Sequence, residues 1–200
     1  MPRITEERRD ARREQIIEAA RACVLEHGLE AVSMEMIIAR SGLSTGAVYR
    51  YFTGKDQIMN AAVLSGTAGL GQALAPILAN PDPPPPAEFV GQVISAGLGY
   101  AVREGGDDLT RMAIHGWSHA QSDPALKATT LAVYQGVRDR FAEIVTRWQA
   151  AGTVSPDADP AAIAQLILSI SMGFIAQRTM AGDADPAAHV AALAALTHAA

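Results

Sequence analysis

Residues 33–56 read SMEMIIARSGLSTGAVYRYFTGKD, and this stretch decides the fold. Ser33 is a residue type that caps the start of a short helix, because its hydroxyl can accept a hydrogen bond from a first-turn amide. Gly42 tolerates the positive φ with which helices commonly end. Ser44 is a second capping residue, and Leu43 before it is expected to fill the turn. The pattern predicts two short helices joined by a glycine turn, which is a helix-turn-helix motif.

The second helix of this motif, predicted at 45–51, is unusual for an element with a purely structural role. Its first turn, TGA at 45–47, is small, although a helical glycine costs about 1 kcal/mol relative to alanine. A small first turn lets backbone amides approach phosphates and small side chains approach base edges. The residues that follow are aromatic and basic, where a solvated face more often carries Glu or Lys: Tyr49, Arg50 and Tyr51.

Lys55 stands in the first turn of the next helix, where a cation opposes the helix dipole, and a phosphate partner would explain this placement. Thr53 and Asp56 give that helix a start similar to a capping box. Each of these features is also typical of helical proteins that bind no DNA. Their combination, together with five arginines in the first 13 residues, predicts contact with DNA.

The charge of the chain is unevenly distributed. The net charge is -5, yet residues 1–60 carry 9 Lys/Arg and 9 Asp/Glu, whereas residues 61–200 carry 7 and 12. A balanced head on an acidic body permits directed contact with DNA at one end of the molecule. The hydrophobic share of 49% and the charged share of 18% indicate a folded globular chain.

Several other classes of protein are disfavoured. No uninterrupted apolar run reaches the roughly 18 residues of a membrane span, and the charged N-terminus does not resemble a secretory signal. We therefore expect a cytoplasmic protein with no membrane partner. The motifs of phosphate-binding loops, zinc proteases and serine hydrolases are missing, so we expect no enzyme and no cofactor.

Two residue types invite a chemical role and receive a structural interpretation. The single cysteine, Cys23, lies on the apolar stripe of the first helix, which favours core packing over a redox switch. His115 and His119 are four residues apart and permit a shared metal ion on one helix face. No Cys or carboxylate joins them at ligand spacing, so no metal site is predicted.

Helix signals recur along the chain, whereas the alternating patterns of strands are missing. Asp-Pro pairs at 123–124, 159–160 and 185–186 each predict a helix start, because Asp caps the free amides and Pro lacks one. The segment NPDPPPP at 80–86 predicts an extended spacer. These signals predict an all-α fold of about nine helices, at 5–27, 34–40, 45–51, 55–79, 87–104, 108–121, 124–151, 160–181 and 186–198.

The run from Arg12 to about Leu70 resembles the DNA-binding domain of the TetR family of repressors. The resemblance implies a three-helix DNA-binding domain at 1–54, a connecting helix at 55–79 and a ligand-sensing, dimerising domain at 80–200. The helix-turn-helix then occupies 33–52. The residues that carry the resemblance are IIEAA at 16–20, His27-Gly28, the hydrophobic helix at 33–39, Gly42-Leu43-Ser44, Gly46, Tyr49-Arg50-Tyr51-Phe52 and Lys55.

The resemblance also implies a homodimer, a palindromic operator on double-stranded DNA and a small effector that releases the DNA. In the family, the first turn of the second helix tends to approach bases, while flanking residues hold phosphates. The matching positions here are Thr45, Gly46 and Ala47 for bases, Ser33, Tyr49, Tyr51 and Lys55 for phosphates, and Arg50 for either. Ser44 and Arg3 complete the predicted DNA-binding set, Arg3 on charge alone.

The helix at 160–181 is apolar nearly all round, so it must be covered on both sides. In a chain of this size a second subunit is the expected cover, and we predict a four-helix dimer interface over 160–198. A wholly internal core is the alternative. The predicted interface residues are Ile163, Leu166, Ile170, Phe174, Val190 and Leu193.

Few charges fall on the inner faces of the later helices, which predicts a largely apolar effector. The candidate pocket residues, each of a type that is also common in cores, are Met112, His115, Trp117, Tyr134, Phe141, Met172 and Phe174. The sequence thus favours a dimeric, ligand-responsive transcriptional regulator. The alternatives are a helical small-molecule-binding or adaptor protein without specific DNA binding, and an all-α enzyme.

Overall fold

The computed structural model describes residues 6–102, 108–182 and 184–197. Within these residues the protein forms nine α-helices and an isolated β-bridge between Val102 and Asp108. The predicted all-α fold is therefore confirmed. The helices are α1 (Glu6–His27), α2 (Met34–Ser41), α3 (Thr45–Val48), α4 (Lys55–Leu78), α5 (Pro86–Ala101), α6 (Thr110–Ser122), α7 (Pro124–Ala150), α8 (Pro160–Ala181) and α9 (Pro186–Thr197).

Three helices begin as their Asp-Pro pairs predict. The carboxylates of Asp123, Asp159 and Asp185 each accept a hydrogen bond from a first-turn amide, at distances of 2.9 Å, 2.9 Å and 3.0 Å. The proline that follows opens α7, α8 and α9 in turn. The capping carboxylate and the missing proline donor together reduce the number of unpaired amides at each helix start.

Three helix boundaries differ from the prediction by more than one residue. The second helix of the motif was expected to reach residue 51, but α3 ends at Val48 and the chain continues as a turn. The helix expected from residue 108 begins at Thr110, because the carboxylate of Asp108 accepts hydrogen bonds from its amide (2.9 Å) and hydroxyl (2.6 Å). The helix expected to reach residue 104 ends at Ala101, because Val102 is extended and pairs with Asp108 in the bridge. The predicted ends at 5 and 198 lie outside the described residues.

The chain divides into two compact units, and the division does not follow the order of the sequence. Unit 1 comprises residues 1–66 and 111–122, and unit 2 comprises 67–110 and 123–200. Helix α6 therefore belongs to the unit of α1, α2 and α3. Helix α4 contributes its first half to unit 1 and its second half to unit 2.

Within unit 1, two contacts attach α6 to the first half of α4. The Nε2 atom of His119 lies 3.0 Å from Oδ1 of Asn60. One turn earlier, Gly116 packs so closely on Val63 that an added Cβ would lie 3.2 Å from a Val63 methyl group. A partly buried Met112 also packs against the core of this unit. The contacts of His119 with Asn60 and of Gly116 with Val63 cannot be predicted from a local pattern, since the partners are more than 50 residues apart.

The core of unit 2 is built around three aromatic side chains. Phe89 of α5 meets Phe141 and Trp148 of α7 edge to face, with ring centroids 5.7 Å and 5.3 Å apart. The indole of Trp148 donates a hydrogen bond of 2.9 Å to the carbonyl of Pro84. Arg147 donates one of 2.7 Å to the carbonyl of Asn80. Arg147 and Trp148 thus hold the proline-rich spacer against the last turn of α7.

Two helices, Lys55–Leu78 and Pro160–Ala181, are long and apolar enough to cross a membrane when judged by length and composition alone. Both contribute buried side chains to the cores of the units: Ile58 and Leu74 from α4, and Ile167 and Phe174 from α8. Core helices of soluble proteins pass the same test, so these two helices are weak grounds for a membrane protein.

The contact between α5 and α9 gives a direct test of unit 2. Gly91 of α5 is buried, and a Cβ at this position would overlap the side chain of Val190. Gly99 in the same helix has no atom within 4 Å of the corresponding position. We expect Gly91→Ala to lower the free energy of unfolding, because an overpacking cost of about 1–3 kcal/mol exceeds the roughly 1 kcal/mol gained in helix propensity.

The matched variant Gly99→Ala should raise the free energy of unfolding by up to about 1 kcal/mol. Urea unfolding monitored by circular dichroism measures both values. Equal stabilisation by the two substitutions would show that α5 and α9 do not approach as closely as the structure has them.

Candidate nucleic-acid interface

The two serines of the motif cap its helices as the sequence predicts. The Oγ atom of Ser33 accepts a hydrogen bond of 3.3 Å from the amide of Met36, and its backbone is extended. The Oγ atom of Ser44 accepts one of 3.3 Å from the amide of Ala47. A hydrogen bond with Ser33 also lowers the pKa of Glu35. A charged carboxylate in the first turn of α2 favours the helix because it faces the positive end of the dipole.

The turn between α2 and α3 depends on Gly42 and Ser41. Gly42 has a φ of 66° in the left-handed region, where a side chain would be strained. The hydroxyl of Ser41 donates to the carbonyl of Ile38 at 2.9 Å and accepts from the amide of Leu43 at 3.3 Å. One buried side chain therefore satisfies polar groups on both sides of the turn, which holds its conformation.

Burial fixes which face of the second helix is exposed. Val48 and Phe52 are buried in the core of unit 1, in one cluster with Ile37 of α2 and with Ile16 and Ile17 of α1. The two side chains are four residues apart and occupy the same side of the chain. The opposite side is left to solvent: Ser44, Thr45, Gly46, Tyr49 and Arg50 are exposed, and Ala47 is half-buried.

The exposed face combines a flat first turn with polar side chains that follow it. No atom lies within 4 Å of the position that a Cβ of Gly46 would take. The side chain of Arg50 folds back, with Nε donating to the carbonyl of Gly46 at 3.4 Å. Tyr49 is 48% exposed, so its ring and its hydroxyl are accessible from outside the protein. This geometry suits close approach to a surface that carries hydrogen-bond acceptors.

Two of the predicted phosphate-binding residues also have roles inside the protein. Tyr51 is half-buried and packs against the core of unit 1. The ammonium of Lys55 lies 3.5 Å from the carbonyl of Leu29, a long contact that joins the start of α4 to the segment after α1. The sequence did not predict this contact. It also paired Thr53 with Asp56, whereas the structure shows the amide of Thr53 donating to Oε1 of Gln57 at 2.9 Å.

Helix α1 contacts the motif at two points that the sequence argument missed. Nε2 of Gln15 donates a hydrogen bond of 2.7 Å to the carbonyl of Ser41, beside the turn. The guanidinium of Arg13 lies 5.3 Å from the centroid of the Phe52 ring, in cation–π geometry. The helical spacing of residues 12–20 was the available signal, because these two side chains flank the apolar stripe of Ile16 and Ile17. The predicted contact residue Arg3 lies outside the described residues.

The candidate effector residues fall in both units. Met112, His115 and Trp117 are half-buried on α6 of unit 1. The other four are on α7 and α8 of unit 2: Tyr134 and Met172 are half-buried, while Phe141 and Phe174 are buried in its core. The sequence-predicted pocket is therefore not a single cluster within either unit.

Burial also raises the pKa of the Cys23 thiol, which fits its predicted place in the core of unit 1.

The predicted interface residues show a mixed pattern of burial. Leu166 is 57% exposed, while Ile163, Ile170, Val190 and Leu193 are half-buried. Phe174 differs, because it is buried within unit 2 and its ring lies 5.0 Å from that of His189 in edge-to-face contact. Met180 of α8 and Leu196 of α9 are further large apolar side chains in the open, at 85% and 79% exposure.

Comparison with known proteins assigns the chain to a family. Residues 16–62 match the model of bacterial regulatory proteins of the tetR family, and residues 100–200 match the C-terminal model of BetI-type transcriptional repressors. The repressor Rv1474c of Mycobacterium tuberculosis is 31% identical over 91 residues, which are 41% of this chain and 49% of that protein. The regulator YfiR of Bacillus subtilis is 32% identical over 65 residues, 32% of each chain. The matched region thus spans half or less of these relatives.

Solved structures show the same fold over almost the whole chain. Salmonella enterica GusR superimposes with a TM-score of 0.75 at 20% identity, over 98% of this chain and 96% of that one. A TetR transcription regulator of Haloarcula marismortui gives 0.76 at 19% identity, over 93% and 95%. The two matched family models identify the chain as a transcriptional regulator whose DNA-binding domain contains the exposed helix-turn-helix. The chain belongs to the TetR family of bacterial regulatory proteins.

Proposed function

We propose that this chain is a ligand-responsive repressor that binds a palindromic operator as a homodimer and is released by a small, mostly apolar effector. The observation that carries the proposal is the exposed face of residues 44–50, which burial of Val48 and Phe52 aims away from the core. The names of the matched C-terminal model and of the Mycobacterium tuberculosis relative support repression. A repressor of this kind works in the cytoplasm, where its operator is.

The exposed face suits a division of labour on the duplex. Thr45, Gly46 and Ala47 present small groups that can approach base edges in the major groove, and such contacts carry sequence information. The hydroxyl and ammonium donors of four further residues suit phosphate oxygens: Ser33, Tyr49, Tyr51 and Lys55. Arg50 serves either role once its bond to the carbonyl of Gly46 is released.

Substitutions at Tyr49 and Gly46 should separate these two roles. We expect Tyr49→Ala to weaken the binding of an operator and of a scrambled duplex alike, by roughly 10-fold, which corresponds to the loss of one hydrogen bond to a charged group. Gly46→Ala should instead change the ratio between the two affinities, because its methyl group points at base edges. Duplexes selected from a random library by the unaltered protein, titrated by fluorescence anisotropy, supply both measurements.

Gly46→Ala carries its own folding control. The position has no neighbour within 4 Å and no positive φ, so alanine should leave the free energy of unfolding unchanged or raise it slightly. Equal binding of selected and scrambled duplexes by the unaltered protein would contradict the proposed function. It would favour a helical small-molecule-binding or adaptor protein instead.

The apolar side chains of α8 and α9 support a homodimer through residues 160–198. Leu166, Met180 and Leu196 are exposed, although a single exposed leucine on a soluble protein is unremarkable in itself. The three together with the half-buried Ile163 and Ile170 extend along two consecutive helices. A stable dimer buries about 800 Å² per subunit, and a two-fold axis uses the same patch on both. Such a dimer can present two motifs to major grooves about 34–36 Å apart.

A charge placed in this patch should dissociate the dimer. We expect Leu166→Glu to convert the protein to monomers of 21.0 kDa and to weaken operator binding together with the loss of the dimer. A buried carboxylate at an interface costs more than the apolar contact it replaces. Analytical ultracentrifugation measures the mass. The matched control is Leu131→Glu on α7, where the leucine is 50% exposed and lies outside the patch.

If Leu131→Glu dissociates the protein and Leu166→Glu does not, the interface lies elsewhere. A monomeric mass for the unaltered protein would leave the exposed side chains of α8 and α9 as part of a solvated surface.

The effector is proposed to be largely apolar, because the inner faces of α5, α7 and α8 are lined by aliphatic and aromatic side chains. Among the predicted residues of unit 2, Tyr134 and Met172 are half-buried and open to an effector, whereas Phe141 and Phe174 are sealed in the core. Release of DNA requires that the effector bind the DNA-free form more tightly than the DNA-bound form. The size of the effect equals that difference in affinity.

Thermodynamic linkage makes the effector proposal testable without knowing its site. Compounds that raise the melting temperature identify ligands of the folded chain. For such a compound we expect the dissociation constant of the operator to rise by about 5- to 150-fold at saturation. The operator must weaken binding of the compound by the same factor. A compound that stabilises the protein in calorimetry but leaves both dissociation constants unchanged would contradict an effector role.

A further inference from the structure

The charges of α1 are segregated around the helix axis. At about 100° per residue, Arg8, Arg9, Arg12 and Arg13 fall within an arc of about 140°. Glu7, Asp10, Glu14 and Glu18 fall within an arc of about 80° on the other side, and Glu6 lies between the two. All four arginines are exposed. We call these four residues the arginine face of α1.

The arginine face adjoins the helix-turn-helix at two points, one at the turn and one just after the second helix. Nη1 of Arg12 donates a hydrogen bond of 2.9 Å to Oε1 of Gln15. Gln15 in turn donates to the carbonyl of Ser41, immediately before the turn. Arg13 lies over the ring of Phe52, just after the second helix. These contacts hold residues 12–15 of α1 against the turn at Ser41 and against Phe52, within the same unit.

A shallow groove runs along this face. It has a volume of about 550 Å³ and is lined by Arg8, Ala11, Arg12 and Gln15. Two guanidinium groups and an amide on its walls suit an anion with several acceptor oxygens, such as a phosphodiester, because guanidinium binds phosphate in a bidentate fashion. Two of the carboxylates of α1 are paired elsewhere, because Glu14 and Glu18 bind the buried Arg21 at 3.2 Å and 2.8 Å.

We propose that the arginine face binds the phosphate backbone of the duplex beside the major groove that the second helix enters. The inference rests on the proposed function, which it extends by a second DNA contact from α1. The arginine face adjoins the motif through Gln15 and Phe52. A duplex bound at residues 44–50 would therefore place a row of backbone phosphates beside the arginine face. Residues 61–200 are acidic, with 7 Lys/Arg against 12 Asp/Glu, and repel DNA. The arginines therefore supply attraction where it is needed.

The salt dependence of binding measures the number of phosphates contacted. Each neutralised phosphate contributes about 0.9 to the slope of log K against log salt concentration. Removing Arg8 and Arg12 should therefore make the slope shallower by about 1.8 per subunit that is bound. Phosphate contacts carry no direct sequence information, so the ratio of affinities for selected and scrambled duplexes should not change.

The test compares the full chain with the double variant Arg8→Gln/Arg12→Gln. Both are titrated with a selected duplex between about 50 and 200 mM salt, a range over which several phosphate contacts change affinity by orders of magnitude. The control is Lys127→Gln/Arg140→Gln, which removes the same charge from exposed positions of α7. We expect a shallower slope for the first variant and an unchanged slope for the control.

The single variant Arg8→Gln keeps the bond between Arg12 and Gln15 and should lower the slope by about half as much as the double variant. An unchanged slope in both α1 variants would overturn the inference, and so would an equal change in the α7 control. A loss of affinity that is the same at every salt concentration would also overturn it, since it would indicate altered packing of Gln15. In all three cases the proposed function still holds if the unaltered protein binds the selected duplex more tightly than the scrambled one. If it shows no such preference, the proposed function itself is contradicted.

Discussion

Burial of Val48 and Phe52 is the constraint on which the rest of the site depends. The two side chains lie in one core with Ile16, Ile17 and Ile37, so the chain from Ser44 to Phe52 can take only one rotation about its axis. A turn of one residue in either direction would expose Phe52 and bury the polar side chains of Tyr49 or Arg50. Burying such groups without partners costs several kcal/mol, which is a large part of the stability of a domain. Hydrophobic packing therefore decides which side chains of residues 44–52 are exposed.

The parts of the fold that were predictable from sequence are those with local causes. Ser33, Ser44 and the three Asp-Pro pairs act on amides within their own first turn, so their positions fix helix starts directly. The end of α3 was misjudged for a related reason. The apolar pair Val48 and Phe52 fits a continuing helix and a turn equally well, because both place residues four apart on one side. Local patterns do not separate these two backbones.

The parts that escaped prediction depend on contacts between distant segments. The carbonyl of Leu29 beside Lys55, and that of Ser41 beside Gln15, are each 26 residues away along the chain. The residue types near Lys55 and Gln15 do not predict that these carbonyls will be the acceptors. The assignment of α6 to the unit of the motif has the same origin, since the contact of His119 with Asn60 spans 59 residues. Helix α6, predicted to belong with a sensing domain, thereby packs through Met112 on the core of the helix-turn-helix.

This placement of α6 bears on how a small molecule could act on DNA binding. Met112 packs against the same core that holds Val48 and Phe52, and Gly116 leaves no room between α6 and Val63 of α4. Close-packed cores do not deform continuously, so a displacement of α6 is passed on to the helices that touch it rather than absorbed. An effector that contacts His115 or Trp117 therefore needs no separate relay within unit 1. Such an effector would act on a helix of the same unit as the motif. Its effect on DNA binding would be limited by the difference between its affinities for the two positions of that helix.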